Sequence, residues 1–280
     1  MATSLSSAGF AWKNLWRRRL RAAAMAMLLP VVCVQAADVH TLLAVPRQRI
    51  ETADYRVTGH LVRVDANGNR ISFPITIKAR WFPGVLRVLV EVGPAGKTGA
   101  GSTASAHAVA HILLEMRPGG ESTIQIAHPG DKAPAALPFE QWSDGPLGPG
   151  FSYEDFLEEQ YFWPGQTALE ETKYGTRDCD PVKSVPGAAD RTHYAEVKTW
   201  LDHTIGFPVY AEKIVRGTGT VKQFTYFGLR HNGGVWSASQ VEEKTLGQAG
   251  STLLIVDRGS AKANLTLRDF SAAQLTHFQD

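Results

Sequence analysis

Cysteine is scarce in this chain, which has only Cys33 and Cys179 among 280 residues. Cys33 falls in an N-terminal segment that we expect to be removed, so the mature chain would keep one cysteine and no intramolecular disulfide. Asp178 and Asp180 flank Cys179, and neighbouring carboxylates raise the pKa of a thiol. A catalytic thiolate is therefore disfavoured, and we expect a buried cysteine or, less often, a link to another chain.

The chain also lacks a large charge of one sign. It carries a net charge of +2, from 29 basic and 27 acidic side chains. Five of the basic residues and none of the acidic ones precede residue 37, which leaves 24 against 27, or a net charge of −3, for the rest. Without a basic stretch in that part, the sequence argues against nucleic acid as a partner and against binding to an anionic lipid surface.

The common signatures of catalysis are missing as well. The sequence has no G-x-S-x-G elbow, no P-loop spacing and no H-E-x-x-H motif. His107, His111 and Glu115 would lie one turn apart on a helix and could then bind a metal, but the residues after His111 are typical of a strand. We therefore predict no metal site, no cofactor and no enzymatic activity, with a hydrolase of unrecognised site as the enzymatic alternative.

The N-terminal 36 residues have the pattern of a secretory signal peptide. Lys13 and the arginines at positions 17–19 and 21 precede an apolar run over residues 22–34, and Val34 and Ala36 fit a cleavage site. A single membrane anchor is the alternative, which is disfavoured because the run is short and contains Pro30. We predict a cleaved signal over residues 1–36, a single domain over residues 37–280 and a periplasmic location.

Alternating apolar and polar residues predict an antiparallel sheet. The clearest alternation runs over residues 70–81, where the apolar positions are Ile71, Phe73, Ile75, Ile77, Ala79 and Trp81. Further strands are predicted over residues 55–64, 85–92, 108–116, 123–127, 167–179 and 181–185, and five more between residues 193 and 257, separated by glycine-rich turns. A one-sided sheet must cover its apolar face with a helix, a second sheet or a ligand.

Helix signals are few. A short helix is predicted over residues 39–52, broken near Pro46, and another over residues 271–276. The segment FSYEDFLEEQ, residues 151–160, predicts a helix capped by Ser152 and Asp155, whose acidic residues compensate the helix dipole or face solvent. The glycine- and proline-rich residues 129–150 predict a long surface loop.

Two segments resemble a known family. GFSYEDFL, residues 150–157, and the stretch from YAEVKTWLDH to SQVEEKT, residues 194–245, are similar to the outer-membrane lipoprotein-sorting proteins, the LolA/LolB-like family, and within it the longer LolA-like branch. The matching positions in the second segment are Trp200, Asp202, Pro208, Gly234 and Trp236. The resemblance implies a mainly β fold, in which a curved antiparallel sheet forms an unclosed half-barrel and a few short helices cover its concave apolar face.

The resemblance also implies a function. The protein would be a non-enzymatic periplasmic carrier that holds a lipid, a lipoprotein acyl chain or a similar apolar ligand without changing it. Its partners would be a lipid or an acylated lipoprotein, with an inner-membrane transporter and an outer-membrane acceptor as further candidates. The alternative is an envelope scaffold whose cavity is filled by its own side chains.

The candidate cavity wall consists of apolar and aromatic residues. For each of them, ordinary packing in a β core is the alternative interpretation. The candidates are Phe73, Ile75, Ile77, Trp81, Phe162, Trp163, Phe224, Tyr226 and Trp236.

Overall fold

The computed structural model describes residues 38–97, 108–146 and 150–278. The predicted signal peptide and His107 lie outside these ranges. The described helices are α1 (Val39–Glu51) and α2 (Ala272–Thr276), and short 3-10 turns cover Phe139–Gln141, Tyr153–Phe156, Glu159–Tyr161 and Leu267–Phe270. Within the described ranges, neither α1 nor α2 nor any 3-10 turn has the length and apolar character needed to cross a membrane.

Strands make up most of the described chain. The N-terminal strands are β1 (Asp54–Val64), β2 (Arg70–Phe82), β3 (Val85–Val92), β4 (Gly96–Lys97), β5 (Ala110–Met116), β6 (Thr123–Ala127) and β7 (Ala135–Ala136). The C-terminal strands are β8 (Gly165–Ala168), β9 (Thr172–Tyr174), β10 (Arg177–Val185), β11 (Tyr194–Asp202), β12 (Pro208–Val215), β13 (Val221–Phe227), β14 (Arg230–Asn232), β15 (Val235–Ser237), β16 (Gln240–Thr245) and β17 (Ser251–Ser260).

Fifteen strands form one sheet in the order β7-β6-β5-β3-β2-β1-β17-β16-β13-β12-β11-β10-β8, with β4 beside β2 and β9 beside β10. Neighbouring strands are antiparallel throughout. The ends of this path, β7 and β8, are edge strands, so the sheet is unclosed within the described residues. β14 and β15 form a separate hairpin. The predicted mainly β half-barrel is confirmed.

The pairing of β1 with β17 joins the N-terminal and C-terminal halves of the sheet. Its register shifts between Thr58 and Gly59, which marks a bulge. A Cβ atom on Gly59 would lie 1.9 Å from the carbonyl oxygen of Ile255, so glycine alone permits the two backbones to approach this closely. Because a bulge bends and twists its strand, this position shapes the seam between the two halves.

The main apolar core lies on the sheet face that α1 covers. Leu43 and Ile50 of α1 belong to this core and are buried. Leu89 of β3 and Leu113 of β5 point to the opposite face, where they form a second cluster with Leu275 of α2. Strands β3 and β5 are therefore buried on both faces, because the C-terminal segment covers the face that would otherwise meet water.

Helix α1 confirms the helix predicted over residues 39–52 but not the predicted break. It continues through Pro46, which is buried together with Leu43 and Ile50. These residues recur at intervals of three and four, so they form one apolar stripe. Burial of the stripe against the rest of the core outweighs the local cost of a proline, and the local pattern alone does not contain that tertiary contact.

The helix predicted over residues 151–160 is wrong in type. The segment forms two 3-10 turns, separated by the extended residue Leu157. The predicted cap is confirmed, since the backbone N and the Oγ of Ser152 both donate to the Asp155 carboxylate, at 2.8 and 2.7 Å. The expectation that the acidic residues face solvent is wrong for Glu154 and Asp155, which are both 7% exposed.

Other predictions need correction. The strands predicted over residues 167–179 and 181–185 are β8, β9 and the single strand β10, which continues through Pro181. The five strands predicted between residues 193 and 257 are seven, because the chain leaves the main sheet after β13 to form β14 and β15 before β16. The predicted surface loop over residues 129–150 contains the buried Trp142, whose indole nitrogen donates to the carbonyl of Leu137 at 3.0 Å. Ile71, expected on the apolar face, is exposed.

Several positions that carried the family resemblance have clear structural roles. Asp202 closes the turn after β11, because its Oδ1 accepts from the backbone nitrogen of Thr204 at 3.0 Å. Pro208 is the first residue of β12, where its missing N–H is tolerated. Gly234 lies in the β14–β15 turn with a φ of 85°, and Trp236 follows on β15.

Candidate functional site

A pocket of about 310 Å³ lies between the sheet and the segments that cover it. Its wall is formed by strands β1, β2, β12, β13, β16 and β17, the C-terminal end of α1, residues 151–160 and the outer hairpin, which we define as residues 230–237. Ligand pockets in proteins typically enclose about 300–1,000 Å³. The cavity is therefore at the lower end of the range for a small-molecule or acyl-chain site.

An apolar row across three neighbouring strands forms one side of the pocket. Tyr226 of β13 is opposite Val241 of β16, and Val241 is opposite Leu254 of β17. Residues directly opposite each other point to the same face of a sheet, so the three side chains form a continuous strip. Phe224 lies two residues before Tyr226 and extends that strip along β13.

Aromatic rings from residues 151–160, which we call the covering segment, and from the turn before β12 pack on this strip. The ring of Phe151 lies 5.5 Å from that of Phe224 in an edge-to-face arrangement and 5.5 Å from that of Phe156. Phe207 meets Tyr226 edge-to-face at 6.1 Å. This end of the pocket is therefore aromatic and suits a chain of CH₂ groups better than a polar molecule.

The outer hairpin forms the opposite end of the pocket. Residues Arg230, Asn232, Val235 and Trp236 contribute to its wall. The imidazole of His231 lies 5.0 Å from the indole of Trp236, across the two strands. Because this hairpin is not part of the main sheet, it adds polar groups to a pocket whose remaining wall is largely apolar.

A buried ionic cluster lies beneath the covering segment and centres on Asp155. The Oδ1 of Asp155 accepts from Lys213 Nζ at 2.8 Å and from the hydroxyl of Tyr194 at 2.6 Å, and its Oδ2 accepts from Lys222 Nζ. The carboxylate is wholly buried, and the side chains of the two lysines are 4% and 10% exposed. Asp155 and Lys213 also contribute to the pocket wall.

The pKa values in this cluster follow from its charges. Burial by itself would raise the pKa of Asp155, but Lys213 and Lys222 together lower it below the ordinary value of 3.8. Burial, with the Asp155 charge next in importance, raises the pKa of Tyr194 well above its ordinary value. Asp155 is thus ionised and Tyr194 protonated at neutral pH.

A second ion pair connects α1 to the covering segment at the pocket wall. Arg49 donates to Glu158 Oε2 at 2.5 Å, and its guanidinium lies 5.3 Å from the centroid of the Phe207 ring. Burial alone would lower the pKa of Arg49, but Glu158 raises it. Burial and the Glu158 charge raise the pKa of Tyr55, another wall residue, to about 12.

The structure brings four of the nine candidate cavity residues to this pocket, namely Ile77, Phe224, Tyr226 and Trp236. Phe73, Ile75, Trp81 and Phe162 pack in or against the main core instead, where the rings of Trp81 and Phe162 stack 6.2 Å apart. Trp163 lies in a separate cluster with Tyr194 and Val197.

Several wall residues were not among the sequence candidates. Phe151 and Phe156 carried a signal, since both belong to the FSYEDFL segment, but that segment was predicted to form a helix and not a pocket wall. Val241 and Leu254 reach the pocket only through the register of β13, β16 and β17. Lys213 carried no signal in the sequence, because its partner Asp155 lies 58 residues earlier and no local pattern connects the two.

Possible metal ligands converge at a different place in the described chain. Donor atoms of Glu171, Asp180 and His203 lie within 4.8 Å of one another, and His203 Nδ1 contacts Asp180 Oδ2 directly at 3.0 Å. As predicted, His111 and Glu115 lie on a strand, β5. His111 Nδ1 makes a 2.8 Å contact with a backbone carbonyl of α2, while Glu115 pairs with two arginines.

The Asp155 cluster also contains side-chain types that act together in some hydrolases, namely Ser152, Lys222 and Tyr194. Ser152 is 1% exposed and its Oγ donates to Asp155 at 2.7 Å. The ammonium of Lys222 and the hydroxyl of Tyr194 donate to the same carboxylate. All three groups therefore donate hydrogen bonds to Asp155. Their arrangement stabilises the position of the covering segment.

Comparison with protein families gives one match. A family described as an uncharacterized protein matches residues 138–277, which is half of the chain. No curated protein matches the sequence.

Solved structures share the fold at low sequence identity. An outer membrane lipoprotein-sorting protein domain from Vibrio parahaemolyticus is similar with a TM-score of 0.71 at 16% identity, over 86% of this chain and 100% of that one. A DUF1329 family protein from Desulfovibrio piger is similar with a TM-score of 0.69 at 13% sequence identity, over 85% of this chain and 97% of that one. A LolA superfamily protein from Nitrosomonas europaea is similar with a TM-score of 0.59 at 12% sequence identity, over 86% of this chain and 100% of that one. At these identities the likeness shows a common fold.

Proposed function

Because this chain belongs to the family that matches residues 138–277 and has the LolA-like fold, we propose that it is a periplasmic carrier or binding protein for an acyl chain. The ligand is a lipid, a lipoprotein acyl chain or a similar apolar group, and the protein binds it without changing it chemically. Its partners are then the donor and the acceptor of that ligand in the envelope.

One observation carries this proposal: the concave side of the half-barrel holds a pocket of about 310 Å³ that its side chains leave open, with a largely apolar and aromatic wall. Each CH₂ group that moves from water into such a pocket contributes about 0.8 kcal/mol. The scaffold alternative expects side chains to fill the concave face. That holds for the region around Trp81 and Phe162 but not for the space beside Tyr226 and Trp236.

The contact residues follow from the pocket wall. We assign Ile77, Phe224, Tyr226 and Trp236 to direct contact with the acyl chain, together with Phe151. The ionic cluster around Asp155 keeps the covering segment in place and does not react with the ligand.

Native mass spectrometry tests the carrier proposal. The full chain is expressed in a Gram-negative host, purified from the periplasm without detergent, and the bound material is extracted with solvent. We expect an N-terminus at residue 37 and a bound acyl-containing molecule that rebinds after extraction. A protein mass without ligand that stays unchanged after incubation with phospholipids and an acylated lipoprotein would favour the scaffold alternative.

A further inference from the structure

We propose that the ligand of this pocket is an anionic amphiphile, whose acyl chain lies against the aromatic end and whose carboxylate or phosphate pairs with Arg230 and Arg258. This inference rests on the proposed function and specifies its ligand class. It follows from the distribution of charge around the pocket.

Most charged groups of the pocket wall already have a partner of opposite charge. Among the described residues these pairs are Arg49–Glu158, Lys213–Asp155 and Arg80–Asp54, and Asp257 lies 2.9 Å from His60 Nδ1. The two charged wall residues left without a carboxylate partner in the described ranges are both cations, Arg230 and Arg258. The wall carries four basic and four acidic side chains, so an anionic ligand would bind through these two unpaired guanidinium groups and not through an excess of positive charge.

The two arginines come from elements that meet at the same end of the pocket. Arg230 lies on the outer hairpin and Arg258 on β17. A Cβ atom on Gly233, in the hairpin turn, would lie 3.8 Å from Ala261, which directly follows β17. At the base of the hairpin, the backbone nitrogen of Val256 donates to the carbonyl of Ser239 at 2.9 Å. The hairpin is thus held beside β17, and both arginines contribute to the wall of the same pocket.

Small polar side chains and aromatic rings concentrate on different parts of the wall. Asn232 and Ser237 of the outer hairpin and the nearby Ser239 accompany the arginines, while the rings of Phe151 and Phe224 pack at the covering segment, where Lys213 and Asp155 pair with each other. A guanidinium group offers paired N–H donors that match the oxygens of a carboxylate or a phosphate. Both arginines are exposed, so they can meet a head group that remains in contact with water.

The test compares anionic and neutral amphiphiles with the same acyl chain. Palmitate, palmitoyl lysophosphatidate and uncharged monopalmitin are titrated into the delipidated mature chain by calorimetry, below their aggregation concentrations. We expect both anionic probes to bind about tenfold more tightly than monopalmitin, because two partly exposed charge contacts contribute roughly one factor of ten together. The preference should shrink as salt screens the contacts. A stronger preference for one anionic probe identifies carboxylate or phosphate as the natural head group.

The variant Arg230→Gln/Arg258→Gln should bind all three probes with the affinity that the original protein has for monopalmitin. Arg268→Gln is the matched control, since Arg268 is also exposed but lies outside the pocket. Equal affinity of the unaltered protein for all three probes overturns the anionic assignment and leaves the carrier proposal standing. Binding of none of them overturns both.

Discussion

Asp155 and Lys213 form a buried ion pair at 2.8 Å, with side chains 0% and 4% exposed. Asp155 belongs to the covering segment, and Lys213 belongs to β12, a strand of the main sheet. The pair therefore fixes the covering segment to the sheet at the wall of the pocket. Lys213 also lies 4.6 Å above the ring of Phe224, so the same ammonium touches the aromatic end of the site.

Replacement of Asp155 by asparagine should destabilise the protein strongly. Lys213 and Lys222 would then remain buried without their carboxylate, and loss of one partner from a buried pair typically costs about 3–5 kcal/mol. Urea denaturation followed by tryptophan fluorescence measures the change in the free energy of unfolding. Glu140→Gln, at an exposed position, should have almost no effect. Similar curves for the two variants would contradict a central role for the cluster.

The pH dependence of stability should reveal Glu159. Burial raises the pKa of this carboxyl from 4.5 to about 7, and its Oε1 is buried without a hydrogen-bond partner among the described residues. Because the folded state holds the proton more tightly, this group stabilises the protein below pH 4.5. That contribution is lost as the pH rises to about 7. We expect a loss of roughly 2 kcal/mol over this interval.

Glu159→Gln should remove that slope, because the amide does not titrate. Urea midpoints of the original protein and the variant, measured at intervals from pH 4.5 to 7.5, give the comparison. Glu140→Gln again serves as the control and should keep the slope of the original protein. A slope that persists in Glu159→Gln would assign the effect to another group.

A larger side chain at Val241 should weaken acyl-chain binding. Val241 lies between Tyr226 and Leu254 in the apolar strip, so phenylalanine there would occupy part of the cavity. Exclusion of only two CH₂ groups corresponds to a loss of about tenfold in affinity. Calorimetric titration with palmitate measures this loss of affinity. Val109→Phe, at an exposed valine outside the pocket, should bind normally, and equal affinity of both variants would place the acyl chain elsewhere.

Gly59→Ala should disrupt the seam between the two halves of the sheet. The new Cβ would lie 1.9 Å from the carbonyl oxygen of Ile255, a backbone atom that cannot move without separating β1 from β17. We expect a loss of about 3 kcal/mol or more, or failure to fold. Gly68→Ala, with a φ of 82° and no atom within 4 Å of its Cβ, should lose only about 1–2 kcal/mol through backbone strain. Equal thermal stability of the two variants would show that the seam can relax.

Cys179 should resist thiol reagents in the folded protein. It is 1% exposed, and burial raises the pKa of its thiol above the ordinary value. Ellman's reagent should therefore react with a protein of residues 37–280, in which Cys179 is the one cysteine, only after unfolding in urea. Rapid reaction under native conditions, or a disulfide-linked dimer on a non-reducing gel, would instead support the link to another chain.

The sequence predicted strands well because alternation is a local property. In residues 85–92 and 123–127, apolar residues alternate with polar ones or follow one another, and turn residues flank both segments. The structure has β3 and β6 at these bounds. Helices were harder to predict where tertiary contacts opposed the local pattern. Pro46 lies inside α1 because its ring is buried. The FSYEDFLEEQ segment forms two turns and not a helix, because Glu154 and Asp155 face buried partners.

The site was only partly predictable for the same reason. Phe224 and Tyr226 could be assigned to one face of a strand by their spacing, and the structure places both at the pocket. Trp81 has the same kind of spacing, yet it stacks on Phe162 in the packed half of the concave face. Alternation identifies the inward face of a strand, but it does not show which part of that face is filled.

The mainly β class, most strand positions and the cap formed by Ser152 and Asp155 can be predicted from the sequence, because each depends on residues close together in the chain. The pocket and its ionic cluster depend on long-range contacts in the folded protein. The register of β13, β16 and β17 assembles the pocket wall, and Asp155 meets lysines 58 and 67 residues away. These contacts depend on how a folded sheet brings distant residues together, which no local pattern encodes.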